Sequence, residues 1–129
     1  MRRSLLFATL CLSALLGGCS SSEGPLDPAV ALDVSVNARK SLRLENASSR
    51  AIYYFVIERN MAALANWAPC TSPEQPCPRV QPRSQTQVPY SRIAGYEPGA
   101  REAIVYWWHL VERDGGWAVD HVRSVVVQL

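Results

Sequence analysis

Two stretches of the chain alternate strictly between apolar residues and polar or small ones. Residues 30–36 carry valine or leucine at every even position, and residues 41–45 repeat the pattern with leucine. Side chains two positions apart lie on the same face of a strand, so this period is typical of a half-buried β-strand. A further short strand is predicted over residues 84–90, where Thr86 and Val88 face inward.

Two other stretches are apolar at odd and even positions alike. Residues 51–58 are rich in β-branched and aromatic side chains, and residues 102–113 include two adjacent tryptophans. Because successive side chains of a strand point to opposite faces, such strands must be covered on both sides. We therefore predict central strands here. Residues 114–116, Asp-Gly-Gly, turn the second strand into a hairpin partner over residues 117–129.

Residues 61–65 fit one helical turn, because alanine, leucine and methionine favour helix. They fit the continuation of a strand equally well. No long helix is predicted elsewhere. Six or seven short strands separated by turn signals predict an all-β fold, a small antiparallel β-sandwich that is loosely immunoglobulin-like, with at most one short helical turn. The cysteine, tryptophan, cysteine spacing of true immunoglobulin domains is missing, because Cys70 and Cys77 are close in sequence.

The start of the chain has the layout of a secretory signal. Arg2 and Arg3 supply a basic beginning, residues 5–16 are apolar, and Gly17 and Gly18 are the small residues that a signal peptidase requires. The apolar run has twelve residues. A helix that crosses a bilayer core of about 30 Å needs roughly 20 residues. We therefore expect no permanent transmembrane helix.

The segment Leu16-Gly17-Gly18-Cys19, followed by three serines, resembles the lipobox of bacterial lipoproteins. The resemblance implies that Cys19 receives a diacylglyceryl group, that a signal peptidase cuts before it, and that the protein is held in the cell envelope by its lipid. In the enterobacterial family pattern, an aspartate after the cysteine marks retention in the inner membrane. Ser20 stands at that position, which favours the periplasmic side of the outer membrane.

Cleavage divides the chain into a signal peptide (1–18), a flexible tether (19–29) and a β-sandwich domain (30–129). The discarded signal carries Arg2 and Arg3, so the thirteen basic residues fall to eleven, which equals the eleven acidic residues. Binding to nucleic acid depends on a surplus of positive charge that faces phosphates. Nucleic acid is therefore not an expected partner, and the membrane is reached through the N-terminal lipid.

Two cysteines remain for the folded domain, Cys70 and Cys77. An exported compartment is oxidising, so this pair predicts a disulfide. Closing so short a loop stabilises the fold by about 2.5 kcal/mol at best. Four prolines within residues 69–78 predict a stiff surface loop outside the sheets. A metal site is the alternative, but zinc takes four clustered ligands and only His109 and His121 could complete the set.

The two histidines are also the only candidate bases for a catalytic serine, cysteine or carboxylate. If residues 114–116 form a three-residue loop, His109 and His121 lie opposite each other, and a two-residue loop shifts them by one position. A two-histidine metal site with Asp120 nearby is one interpretation, and a cross-strand pair without a ligand is the other. We predict no cofactor and no enzymatic activity.

Trp67, Tyr96 and Trp107 are the candidate contacts for a partner. Adjacent Trp107 and Trp108 point to opposite faces of their strand, so one faces the core and the other faces the outside or a neighbouring element. An exposed tryptophan would be a contact point for an envelope protein or a glycan. The alternative is that strands and loops cover these rings, as they cover most aromatic side chains.

Together these features predict a lipid-anchored, non-catalytic binding or interaction module of the cell envelope. It would present the stiff loop of residues 69–78 and the nearby aromatic rings to a protein or glycan. One alternative is an inhibitor of an exported protease, because a preorganised loop binds at low entropic cost. A second alternative is a metal-binding envelope protein.

Replacing the lipid-bearing thiol tests the lipoprotein assignment. We expect Cys19→Ser to release an intact domain or to leave an unprocessed precursor, because serine has no thiol to receive the lipid. Cell fractionation with immunoblotting measures both outcomes. A variant that is still processed and membrane-bound would contradict the assignment.

Overall fold

The computed structural model describes residues 31–129. Within these residues strands make up most of the regular structure, and helix is confined to the four residues Arg59–Ala62 (α1) and a 3-10 turn at Tyr90–Arg92. The strands are β1 Leu32–Asn37, β2 Ser41–Asn46, β3 Ile52–Glu58, β4 Arg79–Val80, β5 Gln85–Pro89, β6 Glu102–Trp108, β7 Leu110–Arg113, β8 Gly116–Val119 and β9 Arg123–Gln128.

The strands form two antiparallel sheets and a separate hairpin. Sheet A has the order β1-β2-β5, sheet B has the order β4-β3-β6-β9, and β7 pairs only with β8. The predicted all-β, antiparallel fold is confirmed. Nine strands are present in the described part of the chain instead of six or seven, because β4 is a two-residue strand and both arms of the terminal hairpin are divided.

The hydrophobic core lies between the two sheets. Sheet A contributes Leu42, Leu44 and Val88 to it, and sheet B contributes Val105 and Trp107. Leucine and valine side chains of this kind each stabilise a fold by about 1.5–3 kcal/mol when they are fully buried. The inward-facing side chains predicted from the alternating segments are thus the ones that hold the sheets together.

Strands β3 and β6 are covered on both faces, as their uninterrupted apolar sequences predict. Ile52 and Val56 of β3 face the core between the sheets. Tyr53 and Phe55 face the opposite side, where they join a second apolar cluster with Trp108 of β6. Sheet B is therefore the middle layer of the domain in this region, and a loop has to supply the third layer.

The hairpin that joins β6 to β9 contains a bulge. Trp107 pairs with Arg123, whereas Leu110 pairs with Val119. Two residues of the first arm thus lie opposite three residues, 120–122, of the second. One unmatched residue is the defining feature of a β-bulge, which bends the strand and ends the regular pairing. The two long strands expected from the sequence are interrupted here.

Of residues 61–65, which fitted either helix or strand, Met61 and Ala62 are helical, in the single turn α1 that directly continues β3. Glu58 ends the strand and caps the helix, since its carboxylate accepts a hydrogen bond of 3.0 Å from the backbone N–H of Met61. Such a cap satisfies a donor that has no partner inside the helix. The helix ends after Ala62, so it is too short to form a layer of its own.

Asn46, at the end of β2, links the two sheets. Its side chain is almost completely buried. The Nδ2 group donates to the backbone carbonyls of Arg50 (2.8 Å), Val80 (3.1 Å) and Gln81 (3.1 Å), and Oδ1 accepts from the backbone N–H of Ser48 (2.9 Å). This side chain therefore fixes the crossing from sheet A to sheet B and ties it to β4.

Removing that link should be costly. We expect Asn46→Ala to lower the free energy of unfolding by about 3 kcal/mol, because carbonyl groups at this crossing lose their donor while they remain buried. Denaturant titration of the variant measures the effect. Asn66→Ala, at an exposed position, is the matched control and should change stability by less than about 0.5 kcal/mol. Equal effects at the two positions would contradict the role of Asn46.

Candidate interaction surfaces

The outer face of sheet B carries an aromatic cluster that Trp67 covers. The ring of Trp67 lies 4.7 Å from that of Tyr106, 5.0 Å from that of Phe55 and 6.0 Å from that of Trp108, measured between centroids. Trp67 itself is half-buried. The candidate contact at Trp67 is thus mainly a structural cover for the sheet, with only part of its ring at the surface.

The stiff loop of residues 69–78, which we call the cysteine loop, packs on the same cluster. The sulfur atoms of Cys70 and Cys77 lie within bonding distance, and their Cα atoms are 6.4 Å apart. The carbonyl of Cys70 accepts a buried hydrogen bond of 3.0 Å from the indole N–H of Trp108. On the other side of the loop, Glu74 and Gln75 are exposed. One side of the loop therefore packs on sheet B and the other faces solvent.

Hydrogen bonds inside the loop keep it in one shape. The side-chain oxygen of Gln75 accepts from the backbone N–H groups of Thr71 (2.6 Å) and Ser72 (3.1 Å). The Gln75 carbonyl accepts from the N–H of Cys77 at 2.8 Å. Together with its prolines, these bonds give the loop little conformational freedom to lose on binding.

Tyr96 lies at the far end of the sandwich from the bulge. It is half-buried, and its ring centroid is 5.4 Å from that of Tyr90. Lys40 and Pro98 complete a shallow hollow of about 430 Å³ around these two rings. No charged pair or buried polar group converges on the hollow, so its chemistry is that of a small apolar recess.

The ring of Trp107, one of the candidate contacts for a partner, is almost completely buried. Its side chain is only 3 % exposed, and Trp108 is equally buried in the outer cluster. Both adjacent tryptophans are covered because sheet B has apolar layers on both sides. Trp107 instead forms the floor of an open groove at one lateral side of the sandwich.

This edge groove lies between β1 and β9, the two neighbouring edge strands of the sandwich. Its volume is about 630 Å³, and it is lined by Leu32, Asp33, Val34, Trp107, His121, Val122, Arg123, Ser124 and Val125. The Cα atoms of β1 and β9 approach within 8 Å of each other at their nearest. Within residues 31–129, β1 pairs only with β2, and β9 pairs only with β6. Each strand therefore has one unpaired backbone edge at the groove.

Arg123 closes the inner part of the groove. Its guanidinium carbon lies 5.1 Å from the ring centroid of Trp107, within the range of a cation–π contact. It also donates a hydrogen bond of 3.2 Å to the carbonyl of His121. Val122 and Val125 are exposed at the rim. The groove thus combines an apolar floor, exposed valines at the rim and two charged side chains, Asp33 and Arg123.

The sequence contains a signal for this surface. Three consecutive valines, Val125, Val126 and Val127, place apolar side chains on both faces of the last strand. Only Val127 is buried, whereas Val125 is 39 % and Val126 is 44 % exposed. The sequence predicts residues 117–129 as the hairpin partner of the preceding strand. What it could not show is that β9 lies at the edge of sheet B, where coverage is incomplete.

The register of the β7–β8 hairpin places His109 opposite Asp120 and thus one position away from His121. The turn between β7 and β8 has two residues, Asp114 and Gly115, since Arg113 pairs with Gly116. The backbone N–H opposite the carbonyl of His109 is that of Asp120, at 3.0 Å.

The ring of His109 is buried and its Nδ1 lies 3.0 Å from the carbonyl oxygen of Ala51, whereas His121 is exposed. Among residues 31–129, no group of three histidine, cysteine or acidic side chains converges as a metal ion would require. The geometry of the two histidines therefore favours a structural His109 over a shared site.

Comparison with protein-family models, with curated proteins and with solved structures finds no match to this chain. No helix within residues 31–129 has the length and apolar character to span a membrane. The signal peptide, Cys19 and the tether lie outside the described residues. The interaction surfaces described above are therefore interpreted from their own chemistry.

His109 should make stability depend on pH between about 5 and 7. Burial lowers its pKa, with Arg50 and Arg123 lowering it further, against the opposing effects of the Ala51 hydrogen bond and Asp120. As the pH falls, the unfolded chain, whose histidine has a pKa of about 6.5, therefore binds a proton at a higher pH than the folded protein does. Stability is therefore complete above that pKa and falls as the pH falls.

Denaturant midpoints at several pH values measure this dependence. We expect His109→Asn, which can still donate to the Ala51 carbonyl, to lose most of the slope between pH 5 and 7. His121→Asn, at an exposed position, is the control and should keep the slope. A slope that survives in the His109 variant would show that another group controls it.

Proposed function

We propose that this protein is a lipid-anchored, non-catalytic interaction module of the bacterial cell envelope that binds an extended polypeptide segment in its edge groove. The observation that carries the proposal is the pair of unpaired strand edges, β1 and β9, on either side of an apolar floor. The lipobox at Cys19 supports the envelope location, on the periplasmic side of the outer membrane.

Unpaired strand edges favour a polypeptide over other ligands. An edge strand presents a row of backbone N–H and C=O groups that a further strand can satisfy. Natural edges are commonly protected by prolines, lysines or inward-pointing charges. β9 carries one such charge, Arg123 at its first position, whose guanidinium lies over the Trp107 ring, and the residues that follow, Ser-Val-Val-Val-Gln, include no proline, lysine or other charge. A segment added beside β9 would extend sheet B and gain main-chain hydrogen bonds along its length.

The side chains of the groove suit a segment with alternating apolar residues. One such residue would enter between Val34 and Val125, above the floor formed by Trp107. The next would point away toward solvent, as the period of a strand requires. Asp33 on one wall of the groove and Arg123 on the other carry opposite charges. The segment itself therefore needs no net charge.

The arrangement of the two histidines supports a non-catalytic role. A nucleophile needs a base within hydrogen-bond reach. The ring of His109 is buried against the Ala51 carbonyl. His121 and Ser124 both line the groove, but within residues 31–129 no hydrogen bond joins the His121 ring to the Ser124 hydroxyl, and the backbone carbonyl of His121 accepts one from Arg123. Among the described residues, the groove thus lacks a nucleophile that is hydrogen-bonded to a base.

The stiff cysteine loop supports a second candidate, an inhibitor of an exported protease. Its backbone is fixed by the Gln75 hydrogen bonds and its solvent side carries Glu74 and Gln75. A segment that is already ordered can bind in the active site of a protease without a large entropic cost. This candidate uses the opposite surface of sheet B, so variants of the two surfaces separate the two functions.

Selection of random dodecamer peptides on the full-length lipidated protein tests the groove. We expect enrichment of peptides with apolar residues at alternate positions. Val125→Arg, at the groove rim, should weaken their binding at least tenfold, because the charge blocks the apolar floor. Val126→Arg lies on the other face of β9 with nearly the same exposure, and should change binding less than twofold.

The outcomes separate the proposals. Equal losses for both arginine variants, or no enrichment at all, would overturn the groove as the binding site. If binding is lost in a Gln75→Ala loop variant and retained in Val125→Arg, the loop is the interaction surface instead. Inhibition assays of exported proteases with the same two variants would then decide whether the protein is an inhibitor.

A further inference from the structure

Several strands end together at one end of the sandwich, which we call the tether end. Leu32, the first residue of β1, pairs with Asn46. Asn46 donates to the carbonyl of Val80, which pairs with Ile52. The next residue of β3, Tyr53, pairs with Trp108 at the end of β6. The chain that precedes Ala31 therefore reaches the domain at this end.

The β7–β8 hairpin begins at the same end. It follows Trp108 directly through His109, whose ring contacts the Ala51 carbonyl beside the start of β3. Arg113 and Gly116 close the hairpin around a two-residue turn. Each of its strands has four residues, a length of about 13 Å. Its tip is exposed, and neither β7 nor β8 pairs with either sheet.

Trp117 is the surface tryptophan of the domain and lies on this hairpin. It is 44 % exposed, while Trp107 and Trp108 are buried and Trp67 is half-buried under its aromatic neighbours. Trp117 lies directly opposite Glu112 of β7, and both residues are exposed. An exposed indole is suited to a boundary between apolar and aqueous surroundings.

We propose that Trp117 contacts the surface of the phospholipid bilayer to which the protein is anchored. The inference rests on the lipid attachment at Cys19 that the proposed function includes. Eleven residues, 20–30, separate Cys19 from Ala31, and the tether predicted there from the sequence would span about 15–20 Å. The tether end, with its hairpin, is thereby kept within reach of the headgroups, where tryptophan rings are favoured.

Exposure alone would select a different residue. Leu64 is 80 % exposed, the highest value among the large apolar side chains of the described residues. It follows α1, which begins where β3 ends, so it lies at the opposite end of the sandwich. The short tether makes contact by that end unfavourable. The position of the lipid attachment, rather than hydrophobicity, therefore decides which end faces the bilayer.

The hairpin that carries Trp117 also bears charges of both signs. Arg113 is exposed and forms a 3.5 Å ion pair with Asp120. Surface ion pairs of this kind contribute little to stability, so Arg113 can exchange Asp120 for a lipid phosphate at small cost. Glu112, which lies opposite Trp117, and Asp114 in the turn are exposed carboxylates, so the contact depends on the indole and Arg113 and not on the net charge of the hairpin.

Quenching of tryptophan fluorescence by brominated lipids tests the contact. The probe is the full-length lipidated protein in vesicles of phosphatidylethanolamine and phosphatidylglycerol, with or without brominated acyl chains. We expect quenching in the wild type, and loss of more than half of it in Trp117→Phe. Trp67→Phe should retain it, because Trp67 lies over sheet B at a distance from the hairpin tip.

A second probe separates the two ends. In the Trp117→Phe background, Leu64→Trp should restore no quenching, because position 64 lies at the far end. Protein that floats with the vesicles but shows equal quenching in wild type and Trp117→Phe would overturn the contact and leave the lipid anchor intact. Protein that does not float with the vesicles would refute the lipid attachment, and the contact with it.

Discussion

The structure depends on the requirement that strands β3 and β6 be covered on both faces. Their apolar side chains alternate between the two sides of sheet B, so a single facing sheet buries only half of them. Sheet A covers the inner face. The outer face, with Phe55 and Trp108, is covered by residues 63–78 and by Leu110 and Val119 of the β7–β8 hairpin. The long connection after β3 is thus part of the core and more than a surface loop.

This requirement determines which apolar surface stays accessible for binding. Trp67 and the Cys70–Cys77 pair are drawn onto sheet B, where they hold the third layer in place. Covering the faces of the sheets does not cover their edges. β9 lies at the edge of sheet B, and β1 lies at the edge of sheet A beside it. The apolar surface that remains accessible is consequently lateral, in the groove above Trp107.

Periodicity predicted the layers because it reports which faces of a strand are buried. The alternating segments gave sheet A, the doubly apolar segments gave the centre of sheet B, and the close spacing of Cys70 and Cys77 placed them in one loop. The order of the strands was not predictable, because pairing between distant segments leaves no local pattern. For that reason the sequence could not identify β9 as an edge, nor Trp107 as a groove floor. Likewise, the bulge at residues 120–122 depends on turn length, and Asp-Gly-Gly is compatible with a loop of two residues or three.

The two ends of the sandwich and its open side are connected by geometry. Leu32 begins β1 and Arg123 begins β9, so the groove opens at the same end that the tether reaches. With the lipid attachment proposed at Cys19, a short tether would restrict the distance of that end from the bilayer, and an interfacial Trp117 would restrict its orientation as well. The groove would then open sideways, close to the membrane surface. A polypeptide that emerges from the membrane plane, or is anchored in it, meets such a groove at a higher effective concentration than one in free solution. The edge of β9 could therefore act with modest intrinsic affinity, because confinement to the surface supplies the rest.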